Sequence, residues 1–129
     1  MPPPILIYFL DANCAFRQIM VRVMHQAFST DITLLGVGDT WPIPVSSSSA
    51  PDVVLLGIGA EGLVNPQLLT SIHAELPGVP ILVLGHLDDA VYRVAAMKAG
   101  ASAFLSKDSL AADLVPTLRQ IAGTRQGAV

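Results

Sequence analysis

The chain predicts an α/β domain: a doubly wound, five-stranded parallel sheet with helices on both faces. Three observations carry this. Five short apolar runs recur along the sequence, each bounded by turn residues, as strands buried on both faces are. Between them lie segments whose apolar residues repeat at helical spacing. The connections are short, and strands alternating with helices in this way require right-handed crossovers and a parallel sheet. At 129 residues the chain is long enough for one buried core, and 52% hydrophobic against 13% charged residues excludes a disordered chain.

Ile5 to Leu10 is the first strand, stopped behind by Pro2 to Pro4 and followed by Asp11. Asn13 can cap a helix over 14–27, in which Phe16, Ile19, Met20, Val23 and Met24 point inward and Arg17 and Arg22 outward. Ile32 to Val37 is a second, weaker strand. Thr40 to Ala50 then reads T-W-P-I-P-V-S-S-S-S-A. Each proline pushes the preceding residue out of helical geometry and serine favours turns, so a second helix is short or missing and Trp41 pins a loop. Val53 to Leu56 lies between Pro51-Asp52 and Gly57, the third strand. Asn65 and Pro66 start a helix with Leu68, Leu69, Ile72 and Leu76 inward, ended at Pro77-Gly78. Ile81 to Leu84 is the fourth strand. Asp88 can cap a helix with Val91, Val94, Ala95 and Met97 inward. Ala103 to Ser106 is the fifth strand, followed by Lys107. Ser109 caps a last helix bearing Leu110, Leu114, Val115, Leu118 and Ile121, with Pro116 inside it as a kink. The domain is expected to span 1–123, with a polar tail over 124–129.

Net charge of −3, a pI near 5.4 and seven Lys and Arg without a run argue against holding nucleic acid or an anionic membrane. A single cysteine, Cys14, excludes an internal disulfide framework and fits a cytoplasmic home. The apolar stretch at the N-terminus is far too short to span a bilayer.

Three stretches resemble the receiver domain of bacterial response regulators: P-D-V-V-L-L-G at 51–57, P-I-L-V-L-G at 80–85, and M-K-A-G-A-S-A-F-L-S-K-D at 97–108. The resemblance covers nearly the whole chain and implies a flavodoxin-like (CheY-like) sheet in the order 2-1-3-4-5. A receiver takes a phosphoryl group from a histidine kinase onto an aspartate ending the third strand. Two acids after the first strand hold Mg²⁺ with it. A Thr or Ser after the fourth strand and a Lys after the fifth bind the phosphoryl oxygens. Carried over, this puts Gly57 at the acceptor, Asp11 at the first acid, Ala12 at the second, Gly85 at the Thr or Ser, Lys107 at the lysine and Phe104 at the switch aromatic. Acyl-phosphate formation needs a carboxylate nucleophile, and glycine has none. A lone Asp11 is a poor ligand set for Mg²⁺. The resemblance therefore implies a degenerate receiver with no catalytic residue, metal or cofactor, in which Asp11 and Lys107 are free to pair.

The expected function is a phosphorylation-independent signalling module that binds a protein partner or a second copy of itself. In similar proteins the face of the fourth helix, fifth strand and fifth helix makes such contacts. In this chain that face would include Tyr92, Arg93, Ala96, Leu110, Leu114 and Leu118. A DNA-binding output domain would belong to a longer chain. The alternative is a nucleotide or small-ligand module, because Gly57 to Gly62 spells G-x-G-x-x-G after a strand. Against it, the helix start signal comes only at Asn65-Pro66. His86 reads as an exposed loop histidine, and the Ser46 to Ser49 run as a flexible loop.

Overall fold

The computed structural model describes residues 3–43, 50–58, 64–86 and 90–126, with side chains described through Ala122. The apolar runs become five parallel strands: β1 (Ile5–Leu10), β2 (Ile32–Gly38), β3 (Val53–Gly57), β4 (Ile81–Gly85) and β5 (Ala103–Ser106). Their order is β2-β1-β3-β4-β5. Every residue of β3 and β4 is buried, which explains why these strands are apolar without alternation. The helices are α1 (Cys14–Ala27), α2 (Pro66–Glu75), α3 (Ala90–Ala99) and α4 (Leu110–Gln126), the last entered through a 3₁₀ turn at Lys107–Ser109. The described residues between β2 and β3 form no helix.

The sheet separates two cores. Met20 and Met24 of α1 join Leu110, Leu114 and Leu118 of α4 on one face, over Ile7, Phe9, Leu55 and Leu84. Leu69 and Ile72 of α2 and Ala96 of α3 cover the other, over Tyr8, Leu56, Ile81 and Val83. Among the described residues no helix is long and apolar enough to cross a membrane.

Local chemistry sets the helix entries. Asn13 accepts from the Phe16 N–H at 3.0 Å, and Asn65 from the Gln67 N–H at 3.0 Å, with Pro66 in the first turn. At the last helix the cap is Ser106, whose Oγ accepts from the Asp108 N–H at 3.2 Å, and not Ser109. The helix runs through Pro116 and on to Gln126. Asp88, Ser46 to Ser49 and residues 127–129 lie outside the described residues.

Several expected placements are reversed. Ile19 and Val23 of α1 are exposed, as are Val91, Val94 and Met97 of α3. Helix α3 carries two apolar stripes, and the one that faces the sheet is built on Ala96, Tyr92 and Ala99. Conversely Ala96, Leu110, Leu114 and Leu118, expected on an interaction face, are in the core, because the stripes that seal the sheet are theirs.

Candidate functional site

In an open parallel sheet, binding residues gather beyond the carboxyl ends of the strands, where the strand order reverses. Here that place lies between β1 and β3. Asp11 follows β1, Gly57 ends β3, Gly85 ends β4 and Lys107 follows β5. The fold brings Asp11, Gly57 and Lys107 together at one point.

Asp11 is only 2% exposed and tied on three sides. Its N–H donates to the Gly38 carbonyl at 3.0 Å, its Oδ1 accepts from the Asn13 N–H at 2.8 Å, and its carbonyl accepts from Arg17 at 2.7 Å. Oδ2 faces Lys107, with Nζ 3.3 Å away. The ammonium also lies 4.1 Å from the centre of the Phe16 ring, a cation–π contact. The ion pair has the distance of a salt bridge but not the angles of a hydrogen bond, so Oδ2 has no hydrogen-bond donor among the described residues.

The two glycines are not empty places. A Cβ added to Gly57 would overlap Oδ2 of Asp11 and stand 2.6 Å from its Cγ. A Cβ added to Gly85 would overlap the tip of the Phe104 ring, with Cε2 at 2.6 Å. Asp11 and Phe104 thus occupy the room that side chains at 57 and 85 would need. Phe104 is buried, and Arg93 closes over it: the guanidinium carbon is 5.3 Å from the ring centre, and Nη1 donates to the Phe104 carbonyl at 3.2 Å.

These residues do not fit the Mg²⁺ that receivers use. Ala12 is exposed and offers no ligand, and Asp11 is already paired with an ammonium. The described residues contain no cluster of three or more metal-capable side chains.

Beside Asp11 opens a cleft of about 260 Å³ lined by Leu10, Ala12, Asp39, Trp41, Leu56, Gly57, Asn65 and Leu68 among others. Trp41 packs tilted on Tyr8, ring centres 6.5 Å apart, and its Nε1 is buried without a hydrogen-bond partner. Sequence reading missed this cleft. Its one signal was a lone tryptophan just after the strand that ends beside Asp11. Of the glycine-rich alternative, Gly59 to Gly62 lie outside the described residues, and α2 starts at Pro66, beyond the glycines. On the expected contact face, Tyr92 is half-buried and Arg93 is exposed.

No protein-family model matches the sequence. Comparison with solved structures shows that the five-stranded sheet and its helices have the CheY-like flavodoxin fold. A CheY-like receiver domain protein from Methanospirillum hungatei superposes with a TM-score of 0.72 at 16% identity, covering 98% of this chain and 99% of that one. The signal receiver domain of NarL from Mycobacterium tuberculosis gives 0.66 at 24% identity, covering 95% and 98%. At the level of sequence, the chain is 29% identical over 118 residues to the transcriptional regulatory protein TcrX of Mycobacterium tuberculosis, covering 92% of this chain and 50% of TcrX. The chain spans about half the length, or less, of the curated relatives it matches.

Proposed function

We propose that this domain works in two-component signalling as a degenerate receiver, by protein contact and without accepting a phosphoryl group. One observation carries the reading: glycine stands at the acceptor position and the Asp11 carboxylate fills the space in front of it. With no nucleophile at position 57 and Asp11 held by Lys107, the usual input has nowhere to attach. Phe104 is held inward by Gly85 behind it and Arg93 above it, which supports a domain resting in one arrangement of its switch aromatic.

The contact surface follows from α3. Val91, Val94 and Met97 are 67%, 50% and 45% exposed while the opposite stripe is buried, so the helix is apolar on both sides. A helix apolar all round has its outer face covered in the working state. This outer face, together with Arg93, replaces the buried residues expected from sequence. In a longer chain, a DNA-binding output domain like those of the transcriptional regulators it resembles would follow.

The test uses the protein with Mg²⁺ and a small-molecule phosphodonor, read by intact mass. No phosphoryl increment is expected. A phosphorylated species mapping to any carboxylate of this domain refutes the proposal.

A further inference from the structure

We propose that this chain assembles head to tail with copies of itself: the outer stripe of α3 on one copy docks into the groove between α1 and α4 on the next. This rests on the α3 contact proposed above and names the surface that receives it.

The stripe is regular. Val91, Val94, Ala95 and Lys98 stand at i, i+3, i+4 and i+7 on one side of α3 and line one open apolar surface. That is the spacing by which a helix anchors itself in a groove. A groove of the right kind lies on the same molecule. It holds about 320 Å³, with Met20 and Leu114 in its floor and Phe16, Ile19, Val23 and Ala111 in its walls. Ile19 and Val23 are 56% and 36% exposed, so the described residues leave them uncovered. At 1.5 Å per residue, the groove runs about 16 Å along α1 from Phe16 to Ala27. The stripe from Val91 to Lys98 runs about 10 Å and fits within that length.

Charge decides which wall the stripe faces. α3 carries Arg93 and Lys98 and no acid. α1 has no acid either and brings Arg17 and Arg22. The acids are Asp108 and Asp113, on the α4 side, both exposed and outside the ion pairs found among the described residues. A docked α3 therefore turns Lys98 towards α4, where the two carboxylates attract it, and meets α1 by apolar contact. The placement of the two surfaces sets the mode of assembly. α1 and α4 cover one face of the sheet and α3 the other, so the stripe and the groove of one copy engage two different neighbours. Such a contact is heterologous and builds a ring or a filament, not a closed pair.

Sedimentation velocity of the full chain over a concentration series is expected to show species larger than a dimer. Val94→Asp spoils the stripe and Ile19→Arg the groove, each at an exposed side chain. Each variant alone is expected to associate about thirtyfold more weakly, or worse, with its circular dichroism unchanged. Mixed one to one, the two are expected to form a pair and stop there, because one brings an intact groove and the other an intact stripe. A parent that stays monomeric at millimolar concentration overturns the proposal and leaves the α3 face to a foreign partner. A parent that associates while the mixed variants do not pair overturns it in favour of a two-fold contact. Association lost in Val94→Asp but kept in Ile19→Arg overturns the groove and leaves the α3 contact standing. Undiminished association in Val94→Asp overturns both.

Discussion

Replacing Gly57 with alanine tests the packing of the site with a change of sign. Inside a strand, Gly→Ala ordinarily stabilises by about 0.5–1 kcal/mol, because glycine loses more freedom on folding. Here the new Cβ lands on the Asp11 carboxylate. Strand β3 cannot step aside, since it is paired with β1 through Leu56 and Leu10 and with β4 through Gly57 and Leu84. Asp11 must therefore rotate, giving up the ion pair with Lys107 and the bond from the Asn13 N–H. Overpacking costs about 1–3 kcal/mol. A lost charged hydrogen bond adds about 1.5–3 kcal/mol. Lys107 keeps the Phe16 ring and 14% exposure, so its stranding is at the mild end. The net expectation is a loss of about 2–3 kcal/mol, or a fall in Tm of about 8–12 °C for a domain of this size. Urea and thermal unfolding of the parent, Gly57→Ala, Asp11→Ala and the double variant give the cycle. With Asp11 truncated the Cβ finds room, so Gly57→Ala becomes neutral or stabilising in that background. A Gly57→Ala protein as stable as the parent, or additive effects in the double variant, refutes the claim that Asp11 fills the space before position 57.

Gly85→Ser is expected to displace the Phe104 ring and its stacking with Arg93, costing about 1–3 kcal/mol in urea unfolding and changing the near-ultraviolet circular dichroism. Lys107→Met strands the buried Asp11 carboxylate and is expected to cost about 3 kcal/mol, much of it recovered by adding Asp11→Ala. Val94→Asp on the outer face of α3 should leave stability within about 0.5 kcal/mol of the parent while abolishing self-association or partner capture in sedimentation experiments.

The legible parts of this fold are those where one local rule had no rival. β3 and β4 are apolar throughout because both faces are covered, and no competing reading of V-V-L-L or I-L-V-L between turn residues exists. Asn13 and Asn65-Pro66 mark helix starts by chemistry that acts within three residues. Helix α3 shows the opposite case. A-V-Y-R-V-A-A-M-K-A holds two stripes at helical spacing, and periodicity does not rank them. Bulk favours Val91, Val94 and Met97 as the inner stripe, yet the sheet takes Ala96 and Ala99, whose small side chains let the helix lie close, with Tyr92 beside them. α1 was misread at its flank for a related reason: Met20 and Met24 already fill the core, leaving Ile19 and Val23 at the rim of a groove shared with Leu110 and Ala111. At the site, the resemblance named Asp11, Gly57, Gly85 and Lys107. What fills the room before each glycine depends on residues distant in sequence, which no local pattern reports.

For the degenerate receiver proposed above, that filling bears on how phosphoryl chemistry could be installed in the pocket. A site that had merely lost its nucleophile would keep a gap, and one substitution at position 57 would return a carboxylate to it. Here Asp11 and Phe104 occupy the room before Gly57 and Gly85 and make contacts of their own, with Lys107 and Asn13 in one case and Arg93 in the other. A carboxylate placed at 57 meets Asp11 first, and two unscreened carboxylates at that separation repel unless a cation stands between them. The second acid that would help hold that cation is absent, because position 12 is an exposed alanine. On the proposed reading, the glycine at 57, the alanine at 12 and the occupied space reinforce one another, so a carboxylate placed at 57 alone is expected to give no phosphorylation.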